Sequence, residues 1–213
     1  SAVIDGRDAS KALRAVHAGF YLSANTLSIG LIGPGTVGGV LLDQIASQVE
    51  RLKRDLNVDL RVRAIAGSKG MVLADRGLDL ARWRELAAGT LEPTDLDRFA
   101  RHVGAEHLPH RVIIDCTADA GVASRYRDWL AAGLHVVTPN KKANSGPLDA
   151  CRALREARRQ SGAHYLYEAT VGAGLPVIMT LRDLRETGDE IREIEGIFSG
   201  TLAYLFNVFD GSA

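Results

Sequence analysis

The sequence predicts an α/β fold: a doubly wound parallel sheet with helices on both faces, followed by the start of a second, α+β domain. Two observations carry this. Short apolar runs alternate with amphipathic stretches along residues 27–185, the pattern of parallel strands joined by crossover helices. A glycine-rich turn, Gly33-Pro34-Gly35-Thr36-Val37-Gly38, separates the first such run from the first long amphipathic stretch.

Taken in order, Leu13, Val16 and Phe20 predict a helix over 7–20, in an N-terminal segment spanning residues 1–26. Residues 27–32 form a short apolar strand. From Thr36, apolar residues recur at three and four through Leu52 and predict a long helix. Val58, Leu60 and Val62 alternate, then Ala64-Ile65-Ala66 enter a buried sheet. Residues 79–101 read as two short helices split by Pro93. Val112 to Asp115 is a strand, 121–132 a helix and Leu134 to Val137 a strand. A helix after Pro147 leads to the strand Tyr165 to Tyr167. Pro176 suits the first turn of a further helix. Ile191, Ile194, Ile197 and Phe198 then suggest a strand, and Leu202 to Phe209 a helix. This places a nucleotide-binding domain at 27–185 and the beginning of a second domain at 186–213.

The bulk composition narrows the partners. The 213 residues are 46% hydrophobic, and 26 basic residues balance 26 acidic ones. A net charge of zero gives no electrostatic reason to expect nucleic acid or an anionic membrane. Arg152 to Arg159 is a basic run, but Leu154 and Ala157 place it on a solvated helix face. Cys116 and Cys151 lack metal or disulfide spacing. No apolar run is long enough to span a bilayer, and Ser1 to Arg7 has no signal-peptide pattern. The expectation is a cytoplasmic protein with reduced thiols.

The glycine turn matches G-x-G-x-x-G between a strand and a helix, the setting in which that string carries meaning. Gly33 permits the tight turn, Gly35 lets backbone approach a pyrophosphate, and Gly38 lets helix and sheet pack closely. The N–H groups of the helix start, at Thr36 and Val37, would then meet the phosphates. This is a Rossmann-type dinucleotide site. NAD binders usually end the second strand in an acid that holds the ribose 2′-hydroxyl. Here the strand ends Ala66-Gly67-Ser68-Lys69. A hydroxyl and an ammonium suit a 2′-phosphate, so NADP is favoured over NAD. The competing reading of Lys69 is an ordinary exposed lysine.

Three further segments close strands at the carboxyl edge, where such sheets bind ligands. In Asp115-Cys116-Thr117-Ala118-Asp119, Thr117 and Ala118 would lie beside the nicotinamide ribose. Asp119 reads equally as a helix N-cap. Cys116 is a conceivable nucleophile, which would make an aldehyde dehydrogenase, but no histidine follows it closely. In Val137-Thr138-Pro139-Asn140-Lys141-Lys142-Ala143, a lysine is placed to donate to a substrate oxygen. Glu168-Ala169-Thr170-Val171-Gly172-Ala173-Gly174-Leu175-Pro176 exposes backbone groups that can cradle a ligand or a hard cation.

Together, GPGTVG, DCTAD, VVTPNKKA, YEATVGAGLPV and EGIFSGTLAYLFN resemble homoserine dehydrogenase, in that family's order and over residues 27–209. KALRAVHAGFYL resembles the linker that precedes this domain in bifunctional aspartokinase–homoserine dehydrogenases. The resemblance implies interconversion of L-homoserine and L-aspartate 4-semialdehyde with NAD(P)H, on the route to threonine and methionine. The apolar faces at Ile194, Ile197, Leu202, Leu205 and Phe206 are expected to bury against something, which favours a homo-oligomer. The resemblance also implies cofactor contacts at Gly33 to Gly38, Thr117, Ala118 and Lys141, with Lys141 near the reacting oxygen. It implies a sodium site at the backbone oxygens of Glu168, Val171, Ala173 and Leu175, and a substrate-pocket edge at Gly200 and Thr201. In the family, the acidic residues that hold homoserine and a second lysine follow the segment matching Phe206-Asn207. The expectation is that these 213 residues bind cofactor but are catalytically incomplete. The alternative is a dinucleotide-binding regulatory or assembly domain without turnover.

Overall fold

β1 (Thr26–Ile32) is almost wholly buried and lies inside a six-stranded sheet. The computed structural model describes Asp5 and residues 25–197, 199–209 and 211. The helix expected over 7–20 and Phe198 lie outside these. The sheet order is β3-β2-β1-β4-β5-β6. β2 (Asp59–Gly67), β4 (His110–Asp115), β5 (His135–Val137) and β6 (Tyr165–Leu166) form parallel pairs throughout. The chain moves outward from β1 to β2, then returns to place β4 on the other side of β1. The switch point therefore falls between the carboxyl ends of β1 and β4, where such sheets bind ligands.

β3 (Gly70–Leu73) departs from the expected strand–helix alternation. It pairs antiparallel with β2, with Ala64 opposite Leu73 and Gly67 opposite Gly70. No crossover helix intervenes, because Ser68 and Lys69 form the tip of a tight hairpin. Gly70 sits at φ +144°, a conformation open to glycine and costly for other residues.

The helices cover both faces of the sheet. α1 (Thr36–Leu56) follows the glycine turn and ends at Asn57, in the left-handed conformation, whose N–H caps Leu52 O. Leu42 and Ile45 of α1 pack with Ile29 and Leu31 of β1, Val62 and Ile65 of β2, and Ile114 of β4. The other face of β1 carries Ser28 and Gly30. A methyl at Gly30 would overlap Val103 and Phe99 of a later helix, so the glycine admits that helix against the sheet. A 3-10 turn (Leu80–Arg82) leads into α2 (Trp83–Ala88). After Pro93 comes α3 (Leu96–Val103), capped by the Asp95 carboxylate. The helix expected over 121–132 is two helices, α4 (Ala120–Ser124) and α5 (Tyr126–Ala131). The ladder tightens between them: Arg125 N–H reaches Val122 O at 3.1 Å, a 3-10 bond. α6 (Leu148–Ser161) ends at left-handed Gly162 and feeds β6.

The described residues divide into two units after Leu166. The second holds a 3-10 turn (Glu168–Thr170), α7 (Val177–Glu186) and α8 (Gly200–Val208). The strand expected over 191–198 is not formed among its described residues: 191–197 are irregular, and no described strand pairs with them. A strand exists through its partner's backbone, so spaced isoleucines alone do not make one. Ile194, Ile197, Leu202, Leu205 and Phe206, expected to seek cover, are between 52% and 80% exposed. No helix among the described residues is long and apolar enough to cross a membrane.

Candidate functional site

The glycine turn closes β1 at the switch point. Gly33 takes φ +87°, and a Cβ there would meet the Thr117 methyl at 2.7 Å. At Gly38 a methyl would overlap Gly33 O and lie 3.2 Å from Cys116 Cβ. Gly35 is the opposite case: a Cβ there meets nothing within 4 Å. Its missing side chain leaves an open cradle at the start of α1. The first turn of a helix leaves N–H groups without intrahelical partners and carries the positive end of the dipole. No side chain caps α1 and no acid occupies its first turn. Thr36 and Val37 are exposed there, whereas Gly38 is buried under the turn.

This turn forms one wall of a cleft of about 750 Å³, a size that suits a small-molecule cofactor. The β2–β3 hairpin brings Ser68 and Lys69 to a second wall, and Thr117 and Asp119, after β4, to a third. Thr94 holds the hairpin by donating from Oγ1 to Gly67 O at 2.7 Å. The fourth wall is α2, whose Trp83 and Arg84 sequence reading missed. Trp83 is buried and donates from Nε1 to Asp43 Oδ1 at 2.8 Å. The Arg84 guanidinium lies 4.5 Å over the Trp83 ring and grips Asp43 through two hydrogen bonds of 2.8 and 2.6 Å. The Arg84 bond, then that of Trp83, hold the Asp43 carboxyl below its ordinary range. Arg84 is thereby committed to Asp43. Among the described residues, no hydrogen bond or ion pair engages the Lys69 ammonium.

The segment after β4 is built around Asp115, which is fully buried. Thr117 N–H donates to its Oδ1 at 2.8 Å. Asp119 caps α4, its Oδ1 accepting from Val122 N–H at 2.8 Å. Cys116 lies between them. Burial, then the charge of Asp115, push its thiol up to about 11. A thiol held protonated is a poor nucleophile at neutral pH, which argues against chemistry through Cys116. Ala118 is exposed beside Thr117. Lys141 is exposed in the loop after β5, outside the cleft walls, with its carbonyl accepting from Asn144 and Ser145 N–H.

The other expected site residues belong to the second unit. Glu168 caps α7: its two carboxylate oxygens accept from Ile178 and Met179 N–H at 2.9 and 2.8 Å. Gly172 and Ala173 are both left-handed, at φ +72° and +52°. Between Glu168 and Leu175 the carbonyls of both ends already accept backbone N–H groups, from Val171 and Val177. Gly200 and Thr201 open α8, exposed beside its cap Ser199. No cluster of three acidic, histidine or cysteine side chains suited to a metal occurs among the described residues.

Comparison with known proteins bears on the same segments. A family model described as the homoserine dehydrogenase NAD-binding domain matches residues 33–168. A second, described as homoserine dehydrogenase, matches residues 176–213. The chain belongs to the homoserine dehydrogenase family. It is 58% identical to a chloroplastic bifunctional aspartokinase/homoserine dehydrogenase 2 of Arabidopsis thaliana, over 98% of this chain and 23% of that protein. It is 36% identical to a homoserine dehydrogenase of Schizosaccharomyces pombe, over 88% of this chain and 50% of the relative. The chain thus spans about a quarter of the bifunctional relatives and half of the shorter one. A hyperthermophilic archaeal homoserine dehydrogenase solved in complex with NADPH superposes with a TM-score of 0.60 at 25% identity, over 74% of this chain and 48% of that one. A Candida auris protein of unknown function superposes at 0.75 with 32% identity, over 85% of this chain and 49% of that one. The Rossmann-type sheet and the nicotinamide-dinucleotide class of ligand are therefore properties of this family member.

Proposed function

We propose that the first unit binds NADP(H) for the interconversion of L-homoserine and L-aspartate 4-semialdehyde. The observation that carries this is the open cradle at Gly35, on an uncapped helix start at the switch point of a homoserine dehydrogenase family sheet. When bound, the nicotinamide exchanges the hydride with the substrate carbon. The chain's own groups do the rest. The N–H groups at Thr36, Val37 and Gly38 receive the pyrophosphate. Ser68 and Lys69 receive the 2′-phosphate, which the uncommitted ammonium of Lys69 favours over a bare ribose. Thr117 and Ala118 face the nicotinamide ribose, and Lys141 donates to the reacting oxygen. Gly200 and Thr201 border the substrate.

The oxygen donors from Glu168 to Leu175 suit a hard monovalent cation such as sodium, held through the second lone pairs of the carbonyls. The exposed apolar residues of the second unit suit self-association into a homo-oligomer.

The 213 residues alone are expected to bind dinucleotide without completing turnover. They span half of the shorter relative, and in the family the substrate acids and second lysine follow Phe206-Asn207. Lack of a general acid costs on the order of 10²–10⁴ in rate. The test titrates NADPH and NADH against the chain and against Lys69→Ala, with an assay of homoserine oxidation alongside. NADPH should bind more tightly, and Lys69→Ala should narrow the gap about tenfold, as loss of a charge-assisted bond does. Equal affinities that the substitution leaves unchanged would refute the NADP reading. Turnover at the rate of a full-length family enzyme would refute the incompleteness.

A further inference from the structure

Asp115 is a buried carboxylate at the end of β4, and no cation pairs with it among the described residues. Burying a carboxylate is expensive, and an apolar residue would pack a strand end as well. Its partners show what it holds. Oδ1 accepts from Thr117 N–H at 2.8 Å. Oδ2 accepts from the Tyr126 hydroxyl and from Asn140 Nδ2 at 3.0 Å. Burial and the bond to Asp115 push the Tyr126 phenol upward, so it stays a donor.

Asn140 spends its whole amide on the same task. Its other Nδ2 hydrogen goes to Asp119 O at 2.9 Å, and its Oδ1 accepts from Lys142 N–H at 3.0 Å. Its own N–H donates to Thr138 Oγ1 at 2.8 Å, and Thr138 donates to Asp115 O at 2.8 Å. Asp115, Tyr126, Thr138 and Asn140 are each at most 2% exposed. The bonds therefore end on Thr117 itself, on Asp119 two residues further, and on Lys142, next to Lys141. Two loops from separate strands are joined into one piece. Gly33 packs against the Thr117 methyl, so the joined piece also touches the glycine turn.

We infer that Asp115 and Asn140 are positioning residues that lock the Thr117 loop to the Lys141 loop, fixing the nicotinamide end of the site as a unit. The inference rests on the reading that Thr117 and Lys141 serve that end. A fixed floor lowers the ordering cost of binding and holds a donor lysine at a set place relative to the ring, as catalysis by orientation requires. The adenosine end is held by the glycine turn and the β2–β3 hairpin, whose own bonds, from Gly33 N–H to Ala66 O at 2.8 Å and from Thr94 Oγ1 to Gly67 O at 2.7 Å, involve neither Asp115 nor Asn140.

The experiment compares two probes on the chain: NADPH, which fills both ends, and 2′,5′-ADP, which fills the adenosine end alone. In Asn140→Ala, NADPH should bind about tenfold more weakly, the usual effect of an unpaired buried group, while 2′,5′-ADP binds as before. Hydrogen exchange at the Lys142 amide, measured without ligand, should quicken because its acceptor is gone. Tyr126→Phe keeps the ring and removes one donor to Asp115. It should move the same affinity ratio by a smaller factor of about three, and it reads the ratio if Asn140→Ala does not fold. Equal weakening of both probes would mean a structural role only and overturn the inference, as would an unchanged ratio. A wild-type chain that binds 2′,5′-ADP and NADPH equally well would overturn it too. A wild-type chain that binds neither probe refutes the dinucleotide reading itself and takes this inference with it.

Discussion

Gly35 and Gly38 stand three residues apart and should respond in opposite ways to the same methyl group. At Gly38 the added Cβ overlaps the carbonyl oxygen of Gly33 and closes to 3.2 Å from Cys116 Cβ. The obstacle is backbone, so relief requires α1 to move off the sheet. Overpacking of this kind costs about 1–3 kcal/mol. A backbone obstacle puts this case at the upper end, about 3 kcal/mol; replacing glycine by alanine in a helix returns up to about 1 kcal/mol, leaving a net loss of about 2 kcal/mol. For a chain of this size that lowers the melting temperature by about 4–8 °C. At Gly35 the methyl meets nothing within 4 Å, but the backbone, at φ −83° and ψ −147°, lies outside the regions that residues with a side chain favour. Gly35→Ala should therefore lose only the cost of that backbone strain, about 1 kcal/mol or about 2–4 °C, since nothing is overpacked. It fills the cradle instead, and NADPH affinity should fall at least about tenfold from steric exclusion of the pyrophosphate. Differential scanning fluorimetry with a parallel NADPH titration separates the two. A Gly38→Ala protein as stable as wild type would refute the packing argument. A Gly35→Ala protein that binds NADPH normally would refute the cradle.

Two further outcomes follow from the titrating groups. Burial, with Arg63 adding to it, depresses His102 below its ordinary 6.5. The unfolded chain then binds the proton more readily, so this contribution to stability is present above about pH 6.5 and lost as pH falls towards the lowered folded value. The melting temperature should fall from pH 7 to pH 5, and His102→Gln should flatten the fall; an equal or steeper fall in the variant would count against the assignment. Cys116, with its thiol at about 11, should react with iodoacetamide at pH 8 about a hundredfold more slowly than an unperturbed cysteine, and Cys116→Ala should retain NADPH binding. Rapid labelling of Cys116 would reopen the covalent reading.

What the sequence determines by itself is whatever local order encodes. The alternation of apolar runs with helical spacing marks β1, α1, β2, β4, β5 and β6, because strand and helix periods are set by bonds between near neighbours. The G-x-G-x-x-G string marks its own turn, since each glycine answers a backbone demand within six residues. The absence of an acid after Ala66 is equally legible. Tertiary structure decides the rest, because it depends on partners far along the chain. β3 exists only through the ladder it shares with β2. Residues 191–197 carry a strand-like pattern, and without a paired edge they form none. Trp83 and Arg84 enter the cleft wall through Asp43, some forty positions earlier. Asp115 and Asn140, 25 positions apart, become one network only where β4 and β5 lie side by side. A hydrogen bond between loops leaves no periodic trace in either, so the chain shows its chemistry by motif and its positioning only when folded.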